Sequence, residues 1–388
     1  MRTFVVSGMA LIAATYGLAR FGYGLFLPRF TETFEMSSVV SGSIQAGSFL
    51  SFCIAAVMAT RLGARPRLVV TCAGATAGLG AVGVAVSPHV LVFAVSVMIA
   101  GAGAGFATPG LVALVESNVP AQRRESAQTV VNAGTGAGIV VAGLLMFLTL
   151  GQWRLGWWII AAVVAAVTLA VLRTDRSSRA QPREQQEATP QTRTRRAGLL
   201  AALRWPITAA LLAGASSAAI WTFGRSIMAE STEGGEAYSI LAWMVLGAFG
   251  ILGALAGKIT RAASVAVAWN LTTVAMALST IALGLAPGVP VSAYLAVAVF
   301  GAGYTAICGV LIIWAGRMVP DQAAAGTAVL FIALAVGQAI GSVVLGVLLS
   351  LGSEALAFGV AGVLGVLAVA PTMARAATAS PERAALSW

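Results

Sequence analysis

RTDRSSRAQPREQQEATPQTRTRRAGLLAALR, residues 173–204, is the longest polar run in the chain and carries eight arginines with Asp175, Glu184, Glu187, Pro182 and Pro190. Such a composition buries too little apolar surface to offset the entropy of ordering, so it predicts a solvated basic linker. Both flanks are the opposite. Of the 388 residues, 59% are hydrophobic and 9% charged, against roughly 25% charged in soluble domains. The two apolar blocks read as membrane, and the basic run as the strap between them.

A bilayer core takes about 20 apolar residues per helix. The chain offers twelve such runs, at 4–28, 38–60, 67–87, 90–114, 126–150, 156–173, 206–228, 238–259, 264–286, 291–315, 324–350 and 353–372. The first is too long for a signal-peptide core and reads as a retained span. The net charge of +10 does not point to nucleic acid, because the cations fall in the short gaps between apolar runs. If Met1 is cytoplasmic, 19 of the 23 cations lie on that side. The opposite side collects Glu32, Glu35, Glu230, Glu233, Glu236 and Glu354, with Arg29 and Arg154 as its clear cations. This bias predicts a multi-pass protein of the inner (plasma) membrane with both termini cytoplasmic.

The two blocks repeat one another. Gly101-Ala102-Gly103 returns as Gly301-Ala302-Gly303, and Val119-Pro120 with Gln122 returns as Val319-Pro320 with Gln322, all at an offset of 200. A cation with an arginine three or four positions on follows the second span (Arg61, Arg65) and the eighth (Lys258, Arg261). The expected organisation is an N-terminal six-helix bundle over 1–173, a cytoplasmic linker over 174–204, and a C-terminal six-helix bundle with a short tail over 205–388.

Twelve spans as six plus six, a long basic central loop and a short basic signature after span two resemble the major facilitator superfamily. The stretch Tyr16-Gly17-Leu18-Ala19-Arg20-Phe21-Gly22-Tyr23-Gly24 resembles the start of its YbfB/YjiJ-like bacterial members. The resemblance implies an all-α membrane protein, two pseudo-symmetric bundles, transport by alternating access, and a monomer. It also implies a latch in the loop after span two, built here by Thr60, Arg61, Gly63 and Arg65. Thr60 stands where the family pattern has aspartate, so the latch lacks that charge; Glu116 at the end of span four is a candidate partner for Arg61. Span five carries Asn132-Ala133-Gly134-Thr135-Gly136-Ala137-Gly138 without the Gly-Pro pair of drug–proton antiporters.

Enzyme chemistry finds no footing. His89 is the one histidine, and Cys53, Cys72 and Cys308 stand singly, without disulfide or metal spacing. The Gly101–Gly105 run lies inside a span, where small residues let helices approach closely. No cofactor is expected. Charges within spans are more telling, since an ionisable group at mid-bilayer costs roughly 2.5–3.5 kcal/mol on insertion scales.

By the limits above no carboxylate lies well inside a span, but two arginines do: Arg20 in span one and Arg225 in span seven, about 24 Å and 28 Å along their helices. These are equivalent helices of the two halves, and substrates bind where such repeats meet. Each arginine can alternatively extend to the headgroups, with Glu230 as the partner of Arg225. Tyr16 and Trp221 stand four residues before them, on the same faces. An arginine fork beside aromatic walls suits an anionic group on an apolar body.

Tyr304, Gln45, Asn132 and Gln338 are further candidate substrate contacts, with helix-to-helix hydrogen bonding as the alternative. The leading expectation is a transporter of a small amphiphilic organic anion, in a lipid bilayer, with no nucleic-acid partner. Lacking acids in the spans, it favours exchange, uniport or a proton carried on the substrate. The rivals are a multidrug efflux pump for neutral or cationic compounds and a receptor that uses the linker as a docking site.

Overall fold

The computed structural model describes residues 2–63, 65–149, 152–176, 198–231, 235–255 and 264–372. Among the described residues, twelve helices are long and apolar enough to cross a membrane: α1 (Arg2–Phe34), α2 (Ser38–Arg61), α3 (Pro66–Val86), α4 (Val90–Asn118), α5 (Ala121–Leu148), α6 (Trp153–Thr174), α7 (Arg204–Glu230), α8 (Gly235–Gly253), α9 (Val265–Leu285), α10 (Pro290–Met318), α11 (Pro320–Ser350) and α12 (Glu354–Thr372). There is no strand among the described residues. Serines start several helices by accepting a backbone N–H: Ser37 from Val40, Ser264 from Val267 and Ser353 from Leu356. Most of the predicted linker, and Ala64, Lys258 and Arg261, lie outside the described residues.

The helices outrun the predicted spans where their ends carry polar residues. The first span was placed at 4–28, but α1 continues through Arg29 and Glu32, which pair at 3.0 Å one turn apart. It stops at Glu35, whose backbone is left-handed at φ 49°. The eighth span was placed at 238–259, yet α8 starts at Gly235 and takes in Glu236. Polar residues at an end cut the hydropathy run short there, whereas the helix continues through Arg29, Glu32 and Glu236, each of which is partnered.

The halves α1–α6 and α7–α12 are six-helix bundles built on the same plan. A Cβ placed on Gly101 of α4 would meet the Ser48 side chain of α2 at 2.2 Å, and one on Gly301 of α10 would meet the Leu246 carbonyl of α8 at 2.2 Å. The repeated Gly-Ala-Gly motif thus serves the same packing in each half. A short 3₁₀ turn accompanies each repeated Val-Pro, Ala121–Arg123 directly after the first and Pro320–Gln322 starting at the proline of the second.

The first helix of each half is likewise held backbone to backbone. A Cβ on Gly138 of α5 would lie 2.3 Å from the Ala13 carbonyl of α1, and one on Gly341 of α11 would lie 2.4 Å from the Ala215 carbonyl of α7. This is what the glycine-rich stretch of α5 does. Between the halves, α2 packs on α11, α5 on α8 and α1 on α7. We call the end carrying Arg2 and Thr372 proximal and the other end distal.

At the proximal end the start of the linker is fastened to its own half. Arg67 pairs with Asp175 at 2.8 Å, Asn118 donates to Asp175 at 2.7 Å, and the Arg176 N–H donates to Asn118 at 2.8 Å. The Asp175 side chain is fully buried. Asp175→Ala should lower unfolding stability by about 1 kcal/mol, since it removes a buried acceptor of two side-chain hydrogen bonds while Asn118 keeps the Leu114 carbonyl and the half-exposed Arg67 regains water. A denaturation series in detergent, with unchanged stability as the adverse result, checks this.

Candidate functional site

The first helix of each half is not regular. Residues Ala13–Arg20 of α1 and Ala219–Gly224 of α7 form π-helical turns, which are rare and recur at functional sites. Arg20 closes the first of these and Arg225 follows the second. The two arginines therefore occupy related positions, yet their surroundings differ.

Arg20 is 4% exposed and sits at the centre, between the halves. Its guanidinium carbon lies 4.0 Å from the ring centre of Phe52, 5.2 Å from Phe49, 5.3 Å from Phe21 and 5.5 Å from Tyr16. Across the interface Nη2 donates to Gln338 Oε1 of α11 at a long 3.4 Å, and its Nε has no partner. No carboxylate lies within ion-pair reach of Arg20 among the described residues.

Gln338 is oriented by its own donations, to the Tyr304 hydroxyl at 3.1 Å and to Ser217 at 3.3 Å, so its oxygen is left for Arg20. Phe21 stacks on Trp221 of α7 at 4.0 Å, and Trp221 in turn packs edge-on against Tyr304 at 5.1 Å and Trp243 at 5.8 Å. Tyr16 is hydrogen-bonded to Thr108 of α4 at 2.9 Å. Helices from both halves thus converge on one cation boxed by rings.

Arg225 is 1% exposed but fully engaged. Nη1 donates to the Leu25 carbonyl of α1 at 2.6 Å, Nη2 pairs with Glu236 at 3.0 Å, and Nε donates to Ser239 at 3.2 Å. The other oxygen of Glu236 pairs with Arg29 of α1 at 2.5 Å. Its carboxylate partner is therefore Glu236, rather than the expected Glu230. The cluster joins α1 of one half to α7 and α8 of the other at the distal end. Beside it a cavity of about 270 Å³ opens among Thr31, Ser41, Glu230 and Glu354.

Of the other expected contacts, Tyr16, Trp221, Tyr304 and Gln338 join the Arg20 cluster. Gln45 of α2 is fully buried on the stripe that also presents Phe49 and Phe52. Asn132 is exposed and accepts from Gln128 at 3.3 Å, apart from the cluster. In the loop after α2, Arg61, Gly63 and Arg65 are exposed and the Thr60 hydroxyl donates to Val57 of its own helix at 2.7 Å. The Glu116 carbonyl accepts from Arg124 at 2.6 Å. Sequence reasoning missed Phe49, Phe52 and Glu236. The spacing of Gln45, Phe49 and Phe52 at i, i+4 and i+7 was the available signal.

Twelve membrane-crossing helices in two halves, with a charged, aromatic site between them, form the architecture of a membrane transporter. The sequence model of the Major Facilitator Superfamily matches residues 9–330, so the chain belongs to that family. The fold is similar to solved structures of the nucleoside transporter NupG (12% identity, 96% of this chain and 98% of that one, TM-score 0.77), of a POT family transporter in complex with 5-aminolevulinic acid (12%, 96% and 96%, 0.77) and of a D-xylose-proton symporter (12%, 95% and 96%, 0.76). A sequence search of curated proteins gave no match.

Proposed function

We propose that this transporter moves a small amphiphilic organic anion, with Arg20 as the anchor of the anionic group. The observation that carries the reading is a buried cation with no carboxylate beside it among the described residues. Desolvating an unpaired charge costs several kcal/mol, while each ring face returns about 0.5–2 kcal/mol. An anionic cargo offsets the remainder, and the rings of Tyr16, Trp221 and Tyr304 suit its apolar body.

In this reading Gln338 carries the contact to the second half, and Arg225 closes the distal end. Asn132 lines the approach from the proximal side, and Thr60, Arg61, Gly63, Arg65 and Glu116 form the proximal latch. The cation bias supports proximal as cytoplasmic, in the inner membrane, with the linker on the same side. Without an acid at Arg20, the cycle runs as exchange, as uniport, or with a proton carried on the substrate.

The test is thermal stability of the detergent-purified protein against a panel of organic anions, cations and neutral drugs, repeated with Arg20→Ala. A ligand at 100 times its Kd stabilises by about 2.7 kcal/mol. Shifts confined to anions and lost in Arg20→Ala are expected. Shifts from cations or neutral compounds that survive the substitution would move the assignment to drug efflux.

A further inference from the structure

Gln45 is a fully buried amide in which neither Nε2 nor Oε1 has a hydrogen-bond partner. A glutamine satisfied by neighbouring helices would not be left this way, because stranding a buried amide is costly. Its position says what it faces. One turn distal on α2, the Ser41 carbonyl accepts from Tyr23 of α1 at 2.8 Å. One and two turns proximal, Phe49 and Phe52 cover the Arg20 guanidinium. Gln45 lies between these contacts on the same stripe of the helix, about 6 Å along the helix axis from Phe49.

Three other stranded donors belong to the same region: Arg20 Nε, Trp221 Nε1 and Trp243 Nε1. The Trp221 indole stacks on Phe21, which borders Arg20. The unmet groups are therefore mostly donors around one cation, plus one acceptor, the Gln45 oxygen. A plain carboxylate answers the donors only. An oxygen acceptor in a water-poor site calls for a ligand N–H or O–H.

We propose that Gln45 is a specificity-determining residue that reads a neutral hydroxyl or amide on the cargo, so the substrate class is a hydroxy- or amido-substituted organic acid. Its anionic group sits at Arg20 and its second polar group about one helical turn toward the distal end. This inference rests on the anion reading of the Arg20 site. It adds a requirement that Arg20 does not impose.

The test uses matched carboxylates on the full-length purified protein: phenylacetate against para-hydroxyphenylacetate, and hexanoate against its terminal hydroxy derivative. Dissociation constants are taken from concentration-dependent thermal shifts for wild type and Gln45→Leu. Wild type should bind the hydroxylated member of each pair about tenfold more tightly, the worth of one well-made buried hydrogen bond. Gln45→Leu should bind both members alike, at the affinity wild type shows for the plain acid. Its ligand-free unfolding temperature should equal or exceed that of wild type, because the substitution removes an unsatisfied buried amide.

A lower unfolding temperature for ligand-free Gln45→Leu, or a hydroxyl preference that survives in it, overturns the assignment. Plain and hydroxylated acids that shift wild type equally overturn the role of Gln45 while leaving the anion site standing. If no carboxylate shifts wild type at all, the anion reading falls and this inference with it.

Discussion

Glu236→Ala is expected to destabilise the protein by about 2–4 kcal/mol and to open the distal end. The carboxylate bridges Arg225, whose side chain is fully buried, and Arg29, which is 29% exposed. Removing one member of a fully buried ion pair costs about 3–5 kcal/mol because the other charge is left unpaired. The estimate is reduced because Glu236 and Arg29 are in part solvated and Arg225 keeps Leu25 and Ser239. Glu236→Gln separates charge from shape: it keeps an acceptor for one arginine and should recover roughly half of the loss. Thermal unfolding of both variants checks the size, and equal stability of Glu236→Ala and wild type would remove the cluster from any role in closure.

The second large effect concerns Gly24, where the two halves touch backbone to backbone. A Cβ there would lie 2.1 Å from the Trp221 carbonyl of the opposite half. Because the obstacle is main chain, side-chain adjustment cannot relieve it, and the halves must separate distally. Gly24→Ala should therefore disfavour the distally closed state and reduce transport about 10- to 100-fold. Overpacking costs about 1–3 kcal/mol, occasionally more, and each 1.4 kcal/mol shifts the balance of states about tenfold.

Stability should also fall, since separating the halves distally breaks the Arg225–Leu25 and Arg29–Glu236 contacts that join them. A cysteine at Thr31, in a protein with Cys53, Cys72 and Cys308 replaced by alanine, reports the state by its labelling rate with a membrane-impermeant thiol reagent. Faster labelling in Gly24→Ala is expected; unchanged labelling with full transport would sink the argument.

The fold was legible because a bilayer imposes one strong rule, about 20 apolar residues per helix, and because the repeated Gly-Ala-Gly and Val-Pro motifs sit at equivalent packing positions. Arg20 was legible for the same reason: a charge in an apolar run stands out. What sets it apart from Arg225 was not, since Glu236 reaches Arg225 across the turn from α7 to α8, and sequence distance along a helix favoured Glu230. The π turns of α1 and α7 leave no hydropathy trace, as widening a turn changes no residue. The ring cage escaped notice because Phe49 and Phe52 look like ordinary membrane phenylalanines until the helix face they share with Gln45 is considered.

The length of α1 bears on how its distal end meets the surroundings. Its 33 residues extend about 50 Å at 1.5 Å each, against roughly 30 Å of hydrocarbon. Arg29 and Glu236, near the distal end of that length, are part-exposed and within reach of mobile ions, whereas Arg20 is buried between the halves. Screening lengths shrink from about 10 Å at 0.1 M to 3 Å at 1 M salt, so the ionic strength of the distal medium acts on the clasp even while the anchor is enclosed. One chain therefore answers salt and cargo at separate depths.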